Sequence, residues 1–251
     1  FNTIVLKSTK CLQNFHLFLC KKQMKRTIII STISAIIIVF CIIPGYLYPI
    51  FEILDAIDKQ LTIALNFNGG SIVDAILYAM SSRITCSICV LIAITLYFLR
   101  KKTKLRRYLV IVLGLTLVIT LCDQISASVI KPYVCRLRPS HTIGVCEFLH
   151  YVYGYKGGQY GFVSSHAANT LGAAAFLSYI IKNKRITIYL FTWAFIVCYS
   201  RIYLGVHYLG DVICGGILGA AIGYTTAFAI NSIIIRYITW KHLRSYKAQL
   251  R

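Results

Sequence analysis

Residues Ser200–Asp211 read SRIYLGVHYLGD, and the rest of the chain takes its meaning from them. An arginine, a histidine and an aspartate stand there inside sequence apolar enough for a lipid bilayer. An ionisable group costs roughly 2.5–3.5 kcal/mol at mid-bilayer, so such groups point to chemistry rather than packing. His207 and Asp211 are four apart, hence on one helical face and one turn from each other. A carboxylate so placed accepts a hydrogen bond from one imidazole nitrogen and leaves the other to attack.

The surroundings are those of a membrane protein. The 251 residues are 58% hydrophobic, with a mean hydropathy of +0.71. Apolar runs near the ~20 residues that cross a bilayer fall at 27–45, 84–99, 108–127, 165–181, 186–203 and 208–235. They predict an all-α fold, a six-helix transmembrane bundle forming one domain over 27–235. That domain lies between an N-terminal segment, 1–26, and a basic tail, 236–251. The first methionine is Met24, so residues 1–23 read either as an upstream extension from a misplaced start or as the tail of a larger product. KKQMKR before Thr27 resembles a natural start to a retained anchor, since no small-residue cleavage site follows it.

A net charge of +20 raises the question of nucleic acid, and the distribution answers it. With both ends cytoplasmic, the inner segments 1–26, 100–107, 182–185 and 236–251 hold 20 of the 27 Lys and Arg residues. This is the positive-inside bias of a multi-pass membrane protein, with some attraction to anionic headgroups. The expected partner is the bilayer and no nucleic acid; the oligomeric state is left open. Nothing else in the chain reads as a repeat or a soluble module.

Two upstream segments complete a constellation. Lys131–Pro139, KPYVCRLRP, brings Lys131, Arg136 and Arg138; Phe162–Asn169, FVSSHAAN, brings Ser164, Ser165 and His166 where a helix begins. With Arg201, His207 and Asp211 these are the parts for gripping a phosphate and cleaving it. The topology predicted from charge puts all three motifs on the extracytoplasmic side.

These motifs resemble the type 2 phosphatidic acid phosphatases, relatives of the vanadium haloperoxidases. That family reads K-x6-R-P, P-S-G-H and S-R-x5-H-x3-D. Here the first is Lys131, Arg138 and Pro139, and the third is Ser200, Arg201, His207 and Asp211. The middle motif keeps Ser164 and His166 but has Val163 for proline and Ser165 for glycine. Serine fits there cheaply only on backbone that is already helical or extended, whereas glycine also allows a positive φ. The likeness covers about Asp123 to Gly219.

The resemblance implies a haloperoxidase-like core and a metal-independent phosphatase working through a phosphohistidine, with no cofactor. His207 would be the nucleophile, Asp211 its orienting carboxylate and His166 the acid and base at the leaving oxygen. Lys131, Arg138, Ser164, Ser165 and Arg201 would bind phosphate, helped by the helix N-terminus behind His166. The expected place is a bacterial inner membrane, with the site facing the periplasm. Among lipid phosphates, lipid A comes first. Undecaprenyl diphosphate and phosphatidylglycerophosphate are alternatives, and a non-hydrolytic lipid-phosphate binder or transporter is the reading from another class. Zinc on His166, His207 and Asp211 is the rival chemistry, disfavoured because three nearby cations would repel a divalent ion.

Other residues carry weaker expectations. Arg136, Asn169 and Tyr203 are second-tier, and Asp123 is expected in an ion pair or hydrogen bond. His141 and His150 read as structural. Cys135 and Cys146 share the outer loop, where a disulfide and two free thiols are both open. Phe51–Asn66 sets Phe51, Leu54, Ile57, Leu61 and Leu65 on one face, and Glu52, Asp55 and Lys59 on the other, with Asp58 at the edge. That pattern suits a helix in the membrane–water boundary or one packed on the bundle, ending at Asn68-Gly69-Gly70.

Overall fold

A computed structural model describes residues 48–100 and 105–249, together with 23, 27, 30 and 31. The chain divides into two units, Phe1–Tyr46 and Leu47–Arg251. In the first, the described residues are helical, and the Thr27 hydroxyl donates to the Gln23 carbonyl at 3.0 Å. The expected segment 1–26 and span 27–45 otherwise lie outside the described residues. All the remaining elements belong to the second unit.

Its order is α1 (Tyr48–Leu65), α2 (Ser71–Met80), α3 (Arg83–Arg100) and α4 (Leu105–Asp123). The last continues through a π-helical stretch, Gln124–Ile130, into the short α5 (Lys131–Val134). After a loop with three 3₁₀ turns come α6 (Ser165–Ile181), α7 (Lys184–Tyr203) and α8 (Leu209–Gln249). Among the described residues there is no strand, and a single backbone bridge joins Leu137 to Tyr160. The helical expectation holds.

Three stretches are long and apolar enough to cross a membrane: Leu105–Val134, Lys184–Tyr203 and Leu209–Ile234. The runs expected at 84–99 and 165–181 correspond to α3 and α6. The latter has only 17 residues, many of them alanine, glycine or serine, because it is the buried centre of the bundle. The boundary expected at 235 is not a helix end, since α8 runs unbroken to Gln249.

Side-chain size sorts inside from outside. On α4, Leu105, Leu109, Leu113, Leu117 and Leu121 recur every fourth residue and are all exposed. The same helix buries Ile111, Leu115, Val118 and Cys122 against Phe176 and Leu177 of α6 and Ala227 of α8. A leucine stripe turned outward is the pattern of a helix solvated by lipid, where small residues mediate helix contact.

That contact is closest between α6 and α8. A Cβ at Gly215, Gly219 or Gly223 would collide with the carbonyl oxygens of Ser164, Ala168 and Gly172 respectively, at 2.5 Å or less. The glycines recur every four residues, and their partners do too, so the two helices run parallel with their backbones touching. On the other flank Gly172 meets Cys122, and Gly114 meets Phe176 and Ile230, which sets α4 antiparallel to both. The C-terminal end of α4, the start of α6, the end of α7 and the start of α8 therefore share one end of the bundle. Exposed Arg106, Arg107, Lys182, Lys184 and Arg185 belong to the opposite end.

α1 is inside out. Ile53, Leu54, Ile57 and Leu61 are exposed, while Thr62 is fully buried and Asp58 is partly buried. Asp58 Oδ1 accepts from the Gly210 amide at 2.8 Å and Thr62 Oγ1 from the Leu209 amide at 3.1 Å. Side chains of α1 thus satisfy two of the orphan N–H groups at the start of α8. The polar face docks on the bundle, and the apolar face is left for lipid.

A bulky Gly219→Val substitution would force α6 and α8 apart, and overpacking of this kind costs about 1–3 kcal/mol or more. We expect a clear drop in the unfolding temperature in detergent, whereas Ile217→Leu, on the exposed face, changes it little. A wild-type melting curve for Gly219→Val would contradict the backbone contact.

Candidate active site

Five of the residues singled out by sequence line one cavity of about 390 Å³: Lys131, Arg138, Arg201, His166 and His207. Tyr78, Ser81, Ser82 and Tyr155 complete its wall. Each motif residue arrives by a different route. Lys131 follows the π-helical stretch, and such stretches recur at functional sites. Arg138 stands in extended backbone, its amide donating to Gln159 O at 3.0 Å and its Nε to Tyr160 O at 3.1 Å. Arg201 ends α7, 2% exposed, with its guanidinium 5.8 Å from the centre of the Tyr155 ring.

His207 sits in the turn between α7 and α8 and is 1% exposed. Its Nδ1 faces Asp211 Oδ2 at 3.4 Å, long beside the usual ~2.7–3.2 Å. The same carboxylate oxygen accepts from the Tyr208 amide at 3.1 Å. Burial pushes the His207 pKa well below its usual 6.5, and the charges of Arg138, Arg201 and Lys131 push the same way. The ring is therefore held neutral, the form that can attack.

Asp211 is fully buried, and its other oxygen belongs to Arg136. Arg136 Nη1 donates to Asp211 Oδ1 at 2.7 Å, and Nη2 donates to Asp55 Oδ1 at 2.6 Å and Asp58 Oδ2 at 2.9 Å. Its guanidinium lies 4.1 Å above the centre of the Tyr208 ring. Burial pulls the Arg136 pKa down, but Asp211, Asp58 and Asp55 outweigh it and raise it. Burial likewise lifts the Asp58 carboxyl above the ordinary range despite the Gly210 amide and Arg136. Gly161 packs on Asp211 from the loop, where a Cβ would come within 2.7 Å of Oδ2.

This hub escapes a reading of the sequence. Arg136 ranks there as second-tier, and Asp55 on the polar face and Asp58 at its edge belong to a helix read as either interfacial or packed on the bundle, with no partner named. The signal available is two acidic residues three apart on α1, together with one arginine too many in Lys131–Pro139.

Ser164 and Ser165, expected in the phosphate cradle, are fully buried behind it. Ser164 caps α6: its amide donates to Asp211 O at 3.0 Å, and its Oγ accepts from the Ala167 amide at 3.4 Å. Ser165 opens α6 in helical backbone, so serine fits where the family has glycine. Its hydroxyl accepts from Lys131 Nζ at 3.0 Å and from Ser126 Oγ at 2.8 Å, which aims the lysine. His166, one residue on, donates from Nε2 to the Ser81 carbonyl at 3.1 Å.

The remaining expectations divide. His150 is structural: it pairs with Asp74 at 3.0 Å, and Tyr203 donates to the same carboxylate at 2.5 Å. The Tyr203 hydroxyl and His150 together hold the Asp74 pKa below the ordinary carboxylate range. His141 Nδ1 lies 3.0 Å from the Ser140 hydroxyl. Cys135 and Cys146 are both free thiols, the former turned back to Pro132 O at 2.9 Å. Asp123 departs from expectation, because its Oδ1 is buried without a hydrogen-bond partner. Among the described residues no three His, Cys, Asp or Glu side chains converge as a metal-binding group, so the zinc set is not assembled.

A neutral buried imidazole, oriented by a carboxylate and facing three cations, can take up a phosphoryl group. Arg136→Ala should lower kcat about 100-fold with little change in KM, the scale of a misplaced reacting group, and Arg136→Lys should recover part of it. Equal losses in both variants would make Arg136 a mere prop of the fold. A histidine with a lowered pKa stays neutral as pH falls through 6.5 and is lost only further down. The acid limb of kcat/KM should therefore lie below pH 6.5. Arg138→Gln, which removes the largest cationic contribution, should move that limb upward.

Known proteins now bear on this geometry. The chain is 36% identical over 173 residues to the lipid A 4'-phosphatase of Porphyromonas gingivalis, a match covering 69% of this chain and 72% of that one. It is 34% identical over 186 residues to the enzyme of the same name from Bacteroides thetaiotaomicron, covering 74% and 82%. Its fold is similar to the crystal structure of a transmembrane PAP2-type phosphatidylglycerolphosphate phosphatase from Bacillus subtilis. There the TM-score is 0.57 at 18% identity, over 82% of this chain and 96% of that one. Aquifex aeolicus LpxE gives a TM-score of 0.50 at 23% identity, over 66% and 92%. Residues 107–235 match the sequence model of the PAP2 superfamily, and with these relatives the chain belongs to that superfamily.

Proposed function

We propose that this membrane lipid phosphatase removes a phosphate monoester from lipid A through a phosphohistidine. The observation that carries the reading is the single cavity shared by Lys131, Arg138, Arg201, His166 and His207, with Asp211 behind His207. The lipid A assignment is supported by relatives of that activity at 34–36% identity.

In the first step His207 Nε2 attacks phosphorus in line with the leaving oxygen, and His166 gives that oxygen its proton. Asp211 keeps the hydrogen of His207 on Nδ1 and stabilises the charge that develops. Lys131, Arg138 and Arg201 neutralise the equatorial oxygens, arginine's fork meeting two at once. The N-terminal amides of α6 add positive potential. In the second step His166 takes a proton from water, the hydroxide attacks phosphorus, and the P–N bond to His207 breaks.

The proposed frame has six spans, with 27–45 as the first and α3, α4, α6, α7 and α8 as the others. The segments 1–26 and 236–251 would be cytoplasmic flanks of the 27–235 domain. The catalytic end would face the periplasm, as the cluster of Arg106, Arg107, Lys182, Lys184 and Arg185 at the other end supports.

His207→Ala should abolish phosphate release from lipid A with folding intact, and His166→Ala should leave little. Turnover should persist in excess EDTA and be inhibited by vanadate, which adopts the trigonal-bipyramidal shape of the transition state. Full activity in His207→Ala would remove the covalent step. For sidedness, a membrane-impermeant thiol reagent should label a cysteine at Gly158, where a side chain meets nothing, in intact spheroplasts of a variant without native cysteines. A cysteine at Asn183 should react only after lysis, and the reverse pattern would turn the site to the cytoplasm.

A further inference from the structure

His166 lines two cavities. Besides the phosphate-sized one, it borders a groove of about 460 Å³ between α3, α4, α6 and α7, within the ~300–1,000 Å³ range of small-molecule sites. The groove walls are mainly apolar, with Leu91, Val112, Leu115, Ile119 and Trp193, and two threonines, Thr116 and Thr120, among them. Along α4 it runs from Val112 to Asp123, about 16 Å of helix. That is about half of a ~30 Å hydrocarbon core, the depth of one leaflet.

The end of the groove at His166 is polar. Asp123 of α4 and Asn169 of α6 line it, and each holds a buried Oδ1 that makes no hydrogen bond. Asn169 follows His166 by three residues, so the two share a helical face. A buried acceptor left unsatisfied is costly, and apolar walls leading to two such acceptors suit a chain with a donor at its head.

We propose that the groove holds the acyl chain carried next to the leaving oxygen, and that Asp123 and Asn169 accept hydrogen bonds from a hydroxyl or amide N–H at its head. The enzyme then selects lipid phosphates built on acylated amino sugars. Ester-linked diacylglycerol and polyprenyl chains carry no such donor and leave both acceptors unpaired, and sites built to pair polar groups reject analogues that lack them. The inference rests on the reading of His166 as the residue at the leaving oxygen.

The test compares kcat/KM of the full chain in detergent on two probes, a monophosphorylated N-acyl glucosamine disaccharide lipid and dioleoyl phosphatidic acid. In Asp123→Leu and in Asn169→Leu the ratio favouring the sugar lipid should fall about tenfold or more, the scale of a lost buried hydrogen bond. An unchanged ratio overturns the proposal, whether both activities persist or both fall together. If the variants do not fold, Trp193 decides. The chain has two tryptophans, so Trp240→Phe leaves Trp193 as the one reporter. An N-acyl glucosamine lipid brominated on its amide-linked chain should quench it at concentrations about tenfold below those needed for brominated diacylglycerol. Equal quenching overturns the proposal. Wild-type protein that releases phosphate from neither probe would instead remove the function proposed above, and the quenching experiment would still judge the groove.

Discussion

The pairing of Arg136 with Asp211 is the constraint around which the site is arranged. A carboxylate with no exposure to water needs a charged partner, and removing one member of such a pair costs about 3–5 kcal/mol. Arg136 answers that need and creates another, since its second nitrogen must also be satisfied. Asp55 and Asp58 do this from α1. The turn at His207 is thereby tied to a helix about 150 residues earlier, and α1 in turn supplies acceptors to the first amides of α8. Asp211 can then orient His207 without itself wandering, because both its oxygens are occupied.

A second constraint sets the distance between the two histidines. His166 stands at the start of α6 and His207 just before α8, and these helices touch backbone to backbone at Gly215, Gly219 and Gly223. The amide of Ser164 closes the same contact on the carbonyl of Asp211. His166 and His207 are therefore set by one interlock, and Lys131 is held by the hydroxyl of Ser165. Preorganisation of this kind is what phosphoryl transfer asks of a protein.

Much of the site is legible in the sequence. The spacing of His207 and Asp211 is legible from helix geometry, the cations of Lys131–Pro139 from their crowding, and the order of the motifs from the family resemblance. Hydropathy marks α3, α4, α6, α7 and α8, and the apolar run expected to end at 235 does so at Ile234, although the helix itself continues to Gln249. What stays hidden is non-local. The polar face of α1 is visible as a pattern, but nothing in Phe51–Asn66 says whether that face meets water or an arginine far along the chain. Ser165 reads as a ligand of phosphate, since a sequence does not show that Lys131 reaches the hydroxyl first. The π-helical stretch before Lys131 has no sequence signature at all.

The reach of α1 also sets an order of events in synthesis. Asp58 meets the Gly210 amide across 152 positions, and Thr62 meets Leu209 across 147. A ribosome working from the N-terminus makes α1 before the turn at His207, so Asp58 and Thr62 wait for the first amides of α8. Arg136 is made earlier and is the first partner that Asp55 and Asp58 can take beyond Lys59. The turn that carries His207 and Asp211 is consequently the last part of this network to be made.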